Sequence, residues 1–254
     1  MIRVLLGLVG FLHAANVYAV WDRYSPFEPG QGLRPFPLTE LVDVSPSSGM
    51  PDARHDEFME RGRPGVSLGI SWASNGSVSV ALVKNGEKVF SGPLSGVASP
   101  AAGSSVYTAD LNADGVPDYV LFTYSGGCGL AAQMTWGTFL LSSPAGYKST
   151  CLLSYDMKPT DCVDIDGRAH WVRSSFISGE EGKDGRRHNY WVYNLLGFAE
   201  GALVSANDRD RRFPKWVLYS FGPNHRETDQ LTDEQRRRLW LKAVELDRCM
   251  PKGD

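Results

Sequence analysis

The chain is poor in cysteine, with four in 254 residues, and it has no excess of either charge sign. Its 26 lysines and arginines face 29 aspartates and glutamates, for a formal net charge of -3. That balance excludes the broad basic field by which nucleic-acid binders advertise themselves. It also gives no push toward an anionic membrane surface. No two cysteines stand two residues apart, and no histidine lies at ligand spacing from another histidine or cysteine, which argues against zinc. There is no phosphate-loop motif, no dinucleotide-binding glycine pattern and no H-E-x-x-H. No self-similarity recurs at the roughly 20–50-residue period of solenoids and propellers. Long apolar runs are missing everywhere but at the beginning.

That beginning reads as an address. Arg3 is basic, Val4 to Leu12 is apolar, and Val17-Tyr18-Ala19 fits the small-x-small cleavage rule. Residues 1–19 are therefore expected to be a cleaved signal peptide, with Ala15 the second choice of cut. The apolar stretch to Val20 is interrupted by His13 and Asn16 and is short for a membrane span. The mature chain is expected to be periplasmic or secreted, with no membrane span. In that setting the even set Cys128, Cys151, Cys162 and Cys249 reads as two disulfides, of open connectivity. Each bridge is expected to contribute about 2–4 kcal/mol.

Residues 20–64 hold seven of the 15 prolines, and proline removes ladder donors. This segment is expected to wrap over the remainder, anchored by Trp21, Phe27, Phe36 and Leu41, with one short helix around Asp52–Arg61. Residues 65–254 are expected to form a single β-rich domain. Val66, Leu68, Ile70 and Trp72 alternate with small polar residues, the period of a half-buried strand. Further strands are expected at Val78–Leu82, Val106–Thr108, Tyr119–Tyr124, Met134–Leu141, Lys148–Leu153, Trp171–Ile177, Tyr190–Leu196 and Trp216–Phe221. Asn75-Gly76 and Asn85-Gly86 are turn signals. The polar run Gly179–Asn189 reads as a solvated loop. Near the end, Thr232 and Gln235 make a capping box for a helix over about residues 232–248. Arg236–Arg238 reads as a solvated face of that helix. The fold class is thus mainly β: an antiparallel sheet or sandwich-like domain with a C-terminal amphipathic helix.

One motif stands out. Asp110-Leu111-Asn112-Ala113-Asp114-Gly115-Val116-Pro117-Asp118 places oxygen side chains at positions one, three, five and nine. Val116 at position seven offers a backbone carbonyl, and Gly115 permits the bend. A short loop surrounds a hard cation such as Ca2+ in this way. It is not an EF-hand, because Leu121 stands where that motif places a bidentate glutamate and both flanks read as strands. The stretch from Thr108 to Leu121 resembles the calcium loop of FG-GAP/VCBS-type repeats, familiar from integrin-like propellers. The resemblance implies Asp110, Asn112, Asp114 and Asp118 as side-chain ligands, Val116 as a carbonyl ligand, and a strand on either side. It covers a single loop, without the repeats of a propeller.

Catalysis has thinner support. Gly65-Val66-Ser67-Leu68-Gly69 matches G-x-S-x-G, but an esterase elbow needs a helix after the serine, and a strand pattern follows here. Ser67 therefore reads as an outward-facing strand residue. His55, His170, His188 and His225 each stand alone. Asp161, Asp164 and Asp166, ending at Gly167, read as a turn between strands. Ser125–Gly129 reads as the loop closing a strand. The expected function is an exported, calcium-binding, non-enzymatic module that binds another protein, of the kind an inhibitor or immunity protein against an exported toxin would be. Arg186–Tyr190 and Arg209–Phe213 are its candidate contact patches. The alternatives are a hydrolase assembled in space around Ser67, His170 or Asp161–Asp166, and an envelope-polymer or carbohydrate binder using some of the seven tryptophans.

Overall fold

The structure is a computed structural model, and it describes residues 33–45, 54–74, 77–94, 104–124, 134–207, 209, 216–219 and 231–245. In chain order the strands are β1 (Thr39–Glu40), β2 (Val42–Asp43), β3 (Arg54–Met59), β4 (Val66–Trp72), β5 (Val78–Lys84), β6 (Glu87–Pro93), β7 (Ser104–Ala109) and β8 (Asp118–Tyr124). They continue with β9 (Met134–Leu141), β10 (Lys148–Tyr155), β11 (Cys162–Ile165), β12 (Arg168–Glu181), β13 (Arg187–Ala199), β14 (Ala202–Ser205) and β15 (Trp216–Tyr219). One helix, α1 (Asp233–Glu245), follows.

All the named ladders are antiparallel, and they form three sheets. The first runs β2-β3-β4-β5-β6, the second β1-β7-β8-β9-β10, and the third β11-β12-β13-β14 with β15 beside β13. The second sheet lies between the other two. Val106, Tyr119, Leu121 and Leu140 from one of its faces share a core with Leu68, Ile70, Val80 and Leu82 of the first sheet. Val120, Phe122, Phe139, Leu141 and Leu152 from its other face share a core with Ala169 and Trp171 of the third. That is why β8 reads as an unbroken apolar run: both of its faces are covered. The edges of Phe122 and Phe139 meet the Trp171 ring at centroid distances of 5.8 and 5.1 Å.

The period-two strands behave as their pattern dictates. In β4, Leu68, Ile70 and Trp72 are buried while Ser71 is exposed. Asn85-Gly86 forms the two-residue turn joining β5 to β6, with φ of +52° and +82°, the conformation that Asn-Gly accepts most readily. Asp166-Gly167 joins β11 to β12 by the same kind of turn. The capping box also forms: Gln235 N–H donates to the Thr232 hydroxyl, and Thr232 N–H donates to the Gln235 side chain. Leu239 and Ala243 of α1 pack on Ile177, Tyr190 and Val192 of the third sheet. Arg237 and Arg238 are exposed, and Arg238 reaches Glu180.

The Pro-rich segment does wrap. Arg34 accepts a hydrogen bond from Asp164 N–H, Phe36 donates to the Cys162 carbonyl, Leu41 donates to Val106, and Val44 donates to Glu57. Eleven consecutive residues, 34–44, thereby touch the third, second and first sheets in turn. Leu41 is buried and Phe36 packs against the core, while Trp21 and Phe27 lie outside the described residues.

Four expectations are corrected. Asp52–Arg61 holds no helix among its described residues; β3 spans Arg54–Met59, its alternation burying Asp56 and Phe58 against β4. Gly179–Asn189 is not wholly a loop, because β12 and β13 extend into it as far as the Glu181–Arg187 pair. Cys162 is a free thiol, fully buried in the apolar core between the second and third sheets, so the four cysteines do not form two bridges. It packs there as a small hydrophobe, and burial pushes its pKa up. Cys151, on β10, is disulfide-bonded, while Cys128 and Cys249 lie outside the described residues. Finally, Tyr190 is completely buried, so Arg186–Tyr190 is not exposed throughout.

Candidate functional site

The nine-residue acidic loop lies between β7 and β8, whose last pair, Ala109 and Asp118, closes it. Short oxygen side chains next to free amides fold such a stretch into successive Asx turns. The Asp110 carboxylate accepts from Asp114 N–H at 3.0 Å and from Gly115 N–H at 2.9 Å. The Asn112 side-chain oxygen accepts from Asp114 N–H at 3.0 Å, and Asp114 accepts from Val116 N–H at 2.8 Å. Gly115 sits at φ +81°, where a side chain would be strained.

Asp118 closes the loop from beneath. It is 0% exposed. One oxygen accepts from Leu111 N–H at 2.8 Å and Asn112 N–H at 3.2 Å. The other accepts from Ser142 N–H at 2.6 Å and lies 2.8 Å from the Ser142 hydroxyl. Burial pushes its pKa up, against the pull of these donors. The Ser142 hydroxyl is also 2.7 Å from an Asp114 oxygen, and it holds the Asp114 carboxyl below the usual carboxylate range. A hydroxyl has one proton, so it serves one of these two carboxylates at a time. Each carboxylate also keeps an N–H donor, Asp114 from Asn112 Nδ2 at 3.2 Å and Asp118 from Ser142 N–H.

The donor set is all oxygen, with Asp110, Asn112 and Asp114 toward solvent, and this is the chemistry a hard cation requires. In the arrangement seen, backbone amides already occupy much of the carboxylate capacity. Among the described residues, no three His, Cys, Asp or Glu side chains converge closely enough to form a metal centre by themselves. The loop thus has the right atoms for Ca2+, organised around its own N–H groups.

The residues considered for catalysis do not all meet: Asp166 and His170 line one concavity, and Ser67 is on another sheet. Ser67 lies half-buried on β4, where the strand continues and no helix follows. His170 lies on β12, on the far side of the second sheet. His188 bonds Asp184 at 2.9 Å. His55 bonds the Ser71 hydroxyl at 2.9 Å across β3 and β4. Asp161 caps a short 3-10 turn by accepting from Lys158 N–H, and Asp164 is paired with Arg34 and Gly167 N–H. Trp72, Trp171 and Trp191 are core residues. His225, Ser125–Gly129 and Asn75-Gly76 lie outside the described residues.

A concavity of about 480 Å³ opens where four pieces of chain come together. They are the acidic loop at Leu111–Ala113, the β11–β12 turn, the β13–β14 hairpin, and Arg209. Asn112, Asp166, Arg168, His170, Ser205 and Arg209 are its chemistry-bearing lining residues. His170, 8% exposed, donates from Nδ1 to the Arg168 carbonyl at 3.2 Å. In the sequence Asp166, His170 and Arg209 stand apart, as a turn residue, a lone histidine and the edge of a patch. Their convergence depends on the hairpin registers and has no linear signal. Against known proteins, the chain matches no family model, no curated protein and no solved structure.

Proposed function

We propose that this chain is an exported, calcium-binding, non-enzymatic module that works by holding another protein. The observation that carries the reading is a division of labour in the fold. Ser67 lies on the first sheet, while His170 and the Asp161–Asp166 stretch lie at the third, so the nucleophile considered for hydrolysis is separated from the acid and base groups by the middle sheet. The open polar concavity, by contrast, displays two arginines, Arg168 and Arg209, whose guanidinium groups have no partner among the described residues. Arginine in a partly apolar depression is typical of the anchors that dominate protein interfaces. An inhibitor or immunity-type role against an exported toxin fits such a surface.

Ca2+ would be held by Asp110, Asn112, Asp114 and Asp118 with the Val116 carbonyl. Its chemistry there is charge neutralisation: it would offset the negative charge that Asp110, Asp114 and Asp118 bring close together and fix the loop that forms one wall of the concavity. The test is native capture of the tagged chain from its host, with calcium and with chelator, followed by reconstitution from purified components. The expected result is one stoichiometric protein partner whose affinity falls with chelator. Folded, calcium-loaded chain that captures nothing overturns the reading.

A further inference from the structure

We infer that the concavity at the open end of the third sheet is a binding site for a small organic anion, a carboxylate or phosphate group carried on an apolar body. This goes beyond the protein-binding reading and stands without it. Arg168 begins β12, directly after the Asp166-Gly167 turn, and Arg209 follows the β14 hairpin. Both line the cavity, and both are exposed. Among the described residues, neither guanidinium makes a hydrogen bond or an ion pair. Their charges are opposed in the lining by the single carboxylate of Asp166, which is likewise unpaired. His170 uses Nδ1 on a backbone carbonyl, so Nε2 is the polar atom that remains on its ring.

The remaining wall is apolar, from Leu111, Ile165, Ala169, Phe198, Val204 and Ala206. A guanidinium fork matches a carboxylate or phosphate with two parallel hydrogen bonds. A volume of about 480 Å³ falls in the range of small-molecule sites and exceeds what a lone inorganic ion would fill. The pairing of unused cations with an apolar wall therefore selects an amphiphilic anion over a bare one.

Gly197, on β13, keeps the floor open. A Cβ built there would lie 3.7 Å from Ala206, 3.7 Å from Val204 and 3.9 Å from the His170 ring, which are ordinary contacts. A larger side chain would be tolerated at its root and would project into the cavity.

The experiment is calorimetric titration of the full chain with benzoate and with phenyl phosphate, and with benzamide as the neutral control. Saturable binding of at least one anion, with benzamide at least about tenfold weaker, is expected. Arg168→Gln should weaken the anion about tenfold or more, and Asp166→Asn should tighten it several-fold by removing the opposing charge. Both residues are exposed and Asn accepts the left-handed turn as Asp does, so folding is preserved. Gly197→Leu should abolish binding; should it fail to fold, the two charge variants decide. Preference for benzoate or for phenyl phosphate identifies the head group, and either supports the site. No saturable binding of either anion, binding equal to that of benzamide, or binding untouched by Arg168→Gln overturns it.

Discussion

The acidic loop and the concavity share a wall yet handle polar groups in opposite ways. In the loop, the amides of Leu111, Asn112, Asp114, Gly115, Val116 and Ser142 all end on a side-chain oxygen of the same loop. In the concavity, Arg168, Arg209 and Asp166 have no such partners among the described residues. A fold that satisfies one polar region so fully is using it to hold shape. Polar side chains left unpaired a few residues away are available for recognition. The comparison predicts that damage to the loop is felt as lost stability, and damage to the concavity as lost binding.

The sharpest way to break the contrast is Asp118→Ala. It strands several buried donors at once, and an unsatisfied buried group costs about 1–3 kcal/mol, so a loss above about 3 kcal/mol in denaturant unfolding is expected. Calcium removal comes next. An ion held at about a hundred times its dissociation constant contributes about 2.7 kcal/mol, so chelator should lower the melting temperature by several degrees. An unchanged melt would remove calcium from the account of the loop. Ser142→Ala should cost about 1–2 kcal/mol, through the loss of the hydroxyl between Asp114 and Asp118. The smallest effect belongs to Arg168→Gln, whose unfolding midpoint should stay within about 0.5 kcal/mol of the parent while anion binding falls. If Arg168→Gln were to destabilise as much as Ser142→Ala, the two regions would not differ in kind.

Local chemistry announced the loop; assembly alone made the concavity. Alternation over Val66–Trp72 and the Asn85-Gly86 turn were readable because each depends on neighbours in sequence. Arg54–Met59 was misread because its strand character comes from β4 beside it, while its charged residues suit a helix surface. Gly179–Asn189 was misread because a two-strand arm can be polar on both faces where it leaves the core. Cys162 was misread because an export address favours bridges, whereas its position between two sheets leaves an apolar slot that a thiol fills. The spacing of the loop's carboxylates is legible in the sequence, but the role of Ser142 is not, since it lies just after β9, 24 residues beyond Asp118.

The segment that crosses all three sheets has a consequence for the order of events during folding. Arg34 pairs with Asp164, 130 residues downstream, and Leu41 bonds Val106 only after β7 exists. A part of the chain that is synthesised early is therefore a part that locks last. Until β11 has been made, the segment has only a fraction of its partners, and the entropy of closing so long a loop opposes early docking. It behaves as a clasp: its closure reports that all three layers have formed, and a cut between it and β3 should let it peel away before any sheet melts.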